Sequence, residues 1–179
     1  ISNFTRTELI EHLEIDPQLI HVVPQGVDHS LFKPLDKRES RKQLGLDSES
    51  TYILVASSNQ THKRMDLVQN ILLELRSHRP DVKLLKIGYE DSLELDGVIN
   101  LGWLPESKMP LLYNSADAYL HTSDYEGFGL PILEAMSCGT PTIANDRASI
   151  PEVIGPANTI NMNSISTSKI CDHIFEKIE

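Results

Sequence analysis

Along the chain, short apolar runs alternate with stretches in which apolar residues recur every three or four positions. Residues 52–56 are almost uninterrupted apolar, the pattern of a parallel strand buried on both faces. Residues 20–23, Val82–Ile87, residues 98–101, Ala118–His121 and residues 140–144 also read as strands, and Gly88 ends the second of these. Met65–His78 carries Met65, Leu67, Val68, Ile71, Leu72 and Leu75 on one helical stripe, which Pro80 ends. Further helices are predicted at residues 37–44, with Gly45 placed to cap the end, and at residues 108–114 after Pro105. Leu130–Ser137 follows, closed by Gly139, and a weaker helix-like stretch comes after Pro151. Residues 165–178 hold Ile170, Ile174 and Ile178 in helical register.

Strands and helices alternating at these lengths imply a Rossmann-like α/β sandwich of three layers, with a parallel sheet covered on both faces. Ligands of such sheets sit outside the carboxyl ends of the strands. The connections that matter are therefore residues 57–64, 88–91, 101–105 and 122–129.

A chain of 179 residues is long enough for one such domain with a substantial core. Its net charge of −10 argues against a nucleic-acid partner, which needs a basic face. A single nucleotide needs only a local cluster of donors. Cys138 and Cys171 are too few for a disulfide framework and show no metal-ligand spacing, so a reducing, cytoplasmic compartment is expected. No apolar run approaches the ~20 residues of a transmembrane segment, so any membrane association is expected to be peripheral. No signal-peptide pattern opens the chain. It starts Ile1-Ser2-Asn3-Phe4 rather than with Met, which reads as an excised domain.

The densest chemistry lies in Thr122-Ser123-Asp124-Tyr125-Glu126-Gly127-Phe128-Gly129-Leu130-Pro131, between a predicted strand and a predicted helix. Gly127 and Gly129 permit backbone angles and close approaches that other residues forbid. Pro131 suits a first helical turn, where its missing N–H is not needed. Free N–H groups and the positive end of a helix dipole thus converge on Phe128, Gly129 and Leu130. That is a phosphate site, to which the dipole contributes about 0.3–1 kcal/mol per charge. Glu134 stands among Ile132, Leu133, Ala135 and Met136, and a carboxylate among apolar residues needs a partner. A ribose diol, with two hydroxyl donors, suits it. Glu126 precedes the glycines, where a sugar beyond the phosphates would lie. The glycines lack G-x-G-x-x-G spacing, which weakens a hydride-transfer reading. A lone Gly-x-Gly is most often only a tight turn; two glutamates bracketing the glycines favour binding.

The run from Glu126 through Glu134 to Gly139-Thr140-Pro141 resembles the signature of family-four glycosyltransferases of the GT-B fold. That signature is two glutamates separated by seven residues, followed by a helix and a Gly-x-Pro turn. Further resemblances cover nearly the whole chain. They are Ser2-Asn3-Phe4, Pro24-Gln25-Gly26-Val27-Asp28, Phe32-Lys33-Pro34, Leu101-Gly102-Trp103, Ala116-Asp117-Ala118 and Pro151-Glu152-Val153. The resemblance implies that residues 1–179 are the C-terminal, nucleotide-sugar-binding half of a GT-B enzyme, with the N-terminal acceptor domain outside the chain.

In that family the first glutamate contacts the donor sugar and the second the ribose hydroxyls; carried over, these are Glu126 and Glu134. Gly127, Phe128, Gly129 and Leu130 bring backbone donors to the sugar and phosphates. A lysine at a helix start neutralises the leaving diphosphate, and Lys63 matches it, so Glu126 and Lys63 are the catalytic candidates. Ser58, Arg64, Gly88 and Leu104 complete the donor-binding set. Where the family carries Gly-Arg after the strand preceding that lysine, this chain has Ser57-Ser58, and Arg64 is the candidate to replace the arginine.

The resemblance also implies a UDP- or GDP-sugar donor, which is a substrate, with no cofactor. A hexose, mannose among the candidates, would pass with retention of configuration to a glycan or lipid-linked sugar in polysaccharide or glycoconjugate synthesis. There is no Asp-x-Asp and no His/Cys cluster with metal spacing, so a metal-independent reaction is expected. The chain by itself is expected to bind donor and transfer little. Two other readings stay open: a non-catalytic sugar-nucleotide-binding module and a GT-B nucleotide-sugar epimerase. His121 is open to a structural or a donor-facing role, and Trp103 to a place in the core or on a wall near the base. The acidic segment 90–96 is expected at the surface.

Overall fold

The computed structural model of the chain describes residues 1–58, 60–88 and 92–179. Among these, the strands are β1 Thr51–Ala56, β2 Val82–Ile87, β3 Val98–Gly102, β4 Ala118–His121, β5 Thr142–Asn145 and β6 Thr159–Ile160. They form one parallel sheet in the order β3-β2-β1-β4-β5-β6. The helices are α1 Asn3–Leu13, α2 Lys37–Gln43, α3 Met65–His78, α4 Met109–Ser115, α5 Leu130–Ser137, α6 Ile150–Ile154 and α7 Thr167–Ile178.

Strand β1 is central because both of its faces are apolar. Ile53 and Val55 join Leu84, Leu120 and Ile143 beneath the stripes of α3 and α7. Tyr52 and Leu54 join Leu85, Tyr119 and Ala144 beneath α4, α5 and α6. All six apolar residues predicted for the α3 stripe are buried. Burial of each such side chain stabilises by about 1.5–3 kcal/mol before the entropy of ordering is charged against it. The three-layer Rossmann-like sandwich is thus the observed fold.

Two local expectations are corrected, and two elements had no counterpart in the sequence pattern. Residues 20–23 are not a strand: Val23 is exposed, and Val22, Pro24 and Gln25 lie beside the first residues of α1 and against α6 rather than on a sheet edge. An apolar run makes a strand only where a strand edge is free to pair with it. Helix α1 was not predicted, because none of its residues is buried and it has no apolar stripe. Strand β5 starts at Thr142 rather than at residue 140, because the Thr140 N–H is used to close α5 on the Ala135 carbonyl. The two-residue β6 is too short to leave a pattern.

The sheet order reverses direction between β1 and β4. The connections leaving these two neighbouring strands therefore diverge and open a crevice at their carboxyl ends, where ligands of such sheets bind. Of the predicted connections, Asn59 and residues 89–91 lie outside the described residues. In the acidic segment Glu94 and Asp96 are exposed and Leu93 is buried.

Candidate functional site

A cavity of about 380 Å³ opens at the carboxyl ends of β1, β2 and β3. Ser58, Lys63, Gly88 and Leu104 line it, together with Ser57, Trp103 and Met109. Its floor depends on Gly88: with φ +139°, a β-carbon there would fall onto the Ser57 carbonyl. The ends of β1 and β2 can approach only because that position has no side chain. Trp103, weighed between core and cavity wall, is 61% exposed on the cavity lip.

Lys63 is held by its backbone. Its carbonyl accepts from Thr122 Oγ1 at 2.8 Å, and the His62 carbonyl accepts from the Asp124 N–H at 2.8 Å. The connection after β1 is thereby docked on the connection after β4. The side chain then crosses the crevice, and Nζ lies 2.6 Å from Glu126 Oε1. His121 Nε2 stands 3.1 Å from the same oxygen. That is close enough for an ion pair, yet the two atoms miss hydrogen-bond alignment, and Nε2 is buried without a hydrogen-bond partner. Burial pushes the Glu126 carboxyl up, but His121 and Lys63 together outweigh it and hold the group down at about 2. Glu126 is therefore an anion at neutral pH.

Beyond Glu126 the chain enters α5 through Gly129, whose φ of +95° favours glycine. Among the described residues the N–H groups of Phe128, Gly129 and Leu130 have no internal hydrogen-bond partner. Three free donors at the positive end of a helix suit an anion. Phe128 is buried and lines a second cavity with Ile1 and Leu133. Glu134 stands on the next turn and accepts a hydrogen bond from Tyr113 Oη at 2.7 Å. Burial raises its pKa, the Tyr113 bond opposes this, and the nearby Glu106 charge adds to the rise. Tyr113 is one helical turn from Met109, which lines the cavity.

The family model for glycosyl transferases group 1 matches residues 36–164. The chain belongs to that family. A D-inositol 3-phosphate glycosyltransferase of Segniliparus rotundus is 32% identical over 161 residues, which is 82% of this chain and 36% of that protein. The chain thus spans little more than a third of the length of that relative. Among solved structures, Anabaena HepE in complex with UDP and glucose superposes with a TM-score of 0.80 at 24% identity, covering 99% of this chain and 52% of that one. A C-terminal domain of a group 1 protein, LpcC from Francisella tularensis, gives a TM-score of 0.69 at 21% identity, with 86% and 88% covered. These structural likenesses are likenesses of fold, and they place the chain among GT-B glycosyltransferase folds.

In this group 1 glycosyltransferase chain the predicted residues fall into separate sets. Lys63 and Glu126 are in contact, Ser58, Gly88 and Leu104 share one cavity with Lys63, and Glu134 is tied to Tyr113. Arg64 is placed elsewhere. Its guanidinium bonds Asp66, Asp124 and Asn163, and it is not among the residues lining the cavity. Tyr113 and Met109 were not singled out from sequence, since both read as ordinary apolar-face residues of a helix. His121 was left between two roles and is now beside Glu126. Glu8, Glu11 and His12 bring possible metal ligands together on the solvent side of α1, and none of them lines the cavity. No helix among the described residues is long and apolar enough to cross a membrane.

Proposed function

We propose that residues 1–179 form the donor-binding domain of a retaining, metal-independent hexosyltransferase that uses a UDP- or GDP-sugar. The observation that carries this reading is the Lys63–Glu126 pair spanning the crevice beside the free N–H groups of Phe128, Gly129 and Leu130. In the free domain the cation and the anion occupy each other. A donor replaces both partnerships at once: its diphosphate takes Lys63 and the helix end, and its sugar hydroxyls take Glu126. Glu134, with one oxygen already on Tyr113, has its other oxygen for a ribose hydroxyl. The base enters the cavity between Gly88 and Trp103.

Transfer then breaks the bond from the anomeric carbon to the diphosphate and forms one from the acceptor oxygen to that carbon on the same face. The acceptor proton passes to a departing phosphate oxygen. Lys63 and the N–H groups stabilise the charge that grows on the diphosphate, which is where preorganised donors contribute most. The acceptor, a glycan or lipid-linked sugar, is held by an N-terminal domain in the part of the protein that relatives have beyond this span. The named activities of relatives, glycosyl and mannosyl transfer, support a hexose as cargo.

Calorimetry of the chain with UDP, GDP and ADP tests the reading. UDP or GDP should bind in preference to ADP, and Glu134→Ala should weaken that binding about tenfold or more. Absence of UDP and GDP binding, with or without ADP binding, or unchanged binding in the variant, would sink it. A second reading, donor binding without transfer, is favoured by one observation. Arg64 is committed to acidic partners, so among the described residues Lys63 is the cation that lines the cavity. A full-length protein that binds donor but neither transfers nor hydrolyses it would establish this second reading.

A further inference from the structure

We propose that Ser2, Thr5 and Ser149 are positioning residues whose hydroxyls turn the peptide planes of the glycine loop, aiming the N–H groups of Gly127 and Phe128 at the terminal phosphate of a nucleoside diphosphate. This rests on the reading of the loop as a diphosphate site. The Glu126 carbonyl accepts from Ser149 Oγ at 2.9 Å. The Gly127 carbonyl accepts from Ser2 Oγ at 2.6 Å, and Thr5 Oγ1, 3.1 Å from that carbonyl and 2.8 Å from Ser2 Oγ, shares its one proton between these two acceptors. The peptide bonds are trans, so each N–H points opposite to the carbonyl of its own peptide plane. With the Glu126 carbonyl drawn to Ser149, the Gly127 N–H is turned away from α6. With the Gly127 carbonyl drawn to the first turn of α1, the Phe128 N–H is turned away from α1. Among the described residues neither N–H has an internal partner. A glycine has the widest choice of backbone angles, so a plane beside Gly127 needs something to hold it.

Two features separate these bonds from ordinary loop packing. Ser149 immediately precedes α6, where a serine hydroxyl usually accepts from the N–H groups of its own helix. Here it makes no capping bond, is fully buried, and donates to Glu126 instead. Helix α1, for its part, buries none of its residues. Its start is tied down by Glu152, whose carboxylate accepts from the N–H groups of Asn3 at 3.0 Å and Phe4 at 2.9 Å. Ser2 serves helix and loop together: its oxygen accepts from the Thr5 N–H at 3.0 Å while its single proton goes to Gly127. A helix without a buried face contributes here two hydroxyls at a fixed height over the loop.

The test is calorimetry on the whole chain with UDP and GDP, each against its monophosphate, for Ser149→Ala, Ser2→Ala and Thr5→Val. Affinity for the diphosphate that the wild type binds should fall about 3- to 10-fold in each variant. Affinity for the matching monophosphate should change less than about twofold. Ser149→Thr and Thr5→Ser, which keep the hydroxyl, should restore the diphosphate. Equal losses for diphosphate and monophosphate, no loss, or failure of the hydroxyl-keeping variants to restore would overturn the positioning role and leave the donor-binding reading standing. A wild type that binds neither diphosphate would overturn both. If either serine variant shows no cooperative thermal transition, Thr5→Val decides alone, because it leaves the Ser2 cap and the Ser2–Gly127 bond in place.

Discussion

Replacing Lys63 by Met should destabilise the domain in a pH-dependent way. The paired side chains are 20% and 15% exposed, so the pair is neither a surface bridge nor a fully buried one. Without the lysine, Glu126 keeps the desolvation that raises it and loses one of the two neighbours, His121 and Lys63, that hold it down. The whole depression, from 4.5 to about 2, is worth about 3 kcal/mol at neutral pH. His121 stays beside the same oxygen. Loss of Lys63 should therefore remove only part of that sum, about 1–2 kcal/mol. The folded value lies below the unfolded one, so the stabilisation is complete above 4.5 and disappears as the pH falls through about 2. Urea unfolding followed by far-UV circular dichroism at about pH 7, 5, 3 and 1.5 measures it. Wild type and variant should differ by about 1–2 kcal/mol at pH 7, keep most of that gap at pH 3, and converge only below the folded value of about 2. Adding Glu126→Gln should recover most of the loss, since an amide needs no counter-charge. A gap of equal size at every pH would refute the reasoning and assign the effect to the aliphatic stem of the lysine. No gap at pH 7 would refute it outright.

Gly88→Ala should cost about 2 kcal/mol or more, because the new methyl meets backbone rather than a movable side chain; chemical denaturation measures this, and a neutral result would mean that the β1 and β2 ends separate without strain. Glu134→Gln should stabilise the free domain modestly at neutral pH, because burial raises the folded pKa of this carboxyl and its charge is a cost. The gain should appear as the pH rises through that raised value and be absent in acid; thermal unfolding across pH checks it, and a gain that persists in acid would contradict it. Cys138 and Cys171 are 3% and 2% exposed, and burial pushes their thiols up to about 11 and about 12. Neither should react with a thiol-disulfide reagent at pH 8 until the domain unfolds; rapid native labelling would argue against this packing.

What the sequence made legible followed the physics of each element. The β1 run and the α3 stripe bury apolar surface, so their periodicity announced them. Helix α1 is held by polar contacts between residues more than a hundred positions apart, and no local pattern records these. Residues 20–23 have the composition of a strand but lack a neighbour to pair with. At the site, Gly129 and Pro131 were readable because the backbone at the start of α5 suits those residue types, whereas a β-carbon at Gly127 would meet only the Ile1 and Thr5 side chains. The choice made by Lys63 and Arg64 was not. They are adjacent cations, and Arg64 adopts a left-handed conformation, φ 55°, at the start of α3. One then faces Glu126 and the other Asp66 and Asp124, partners that only the fold brings within reach.

The position of Trp103 has an optical consequence. It is the only tryptophan in the chain, and it stands largely in water on the lip of the cavity. All indole emission from the domain therefore originates at one mouth. Unfolding changes the surroundings of a ring already in solvent rather little, whereas a base sliding past it would exclude water from one face and stack against it. Fluorescence of this chain is thus a label-free gauge of occupancy rather than of folding, and acrylamide quenching should fall as the cavity fills.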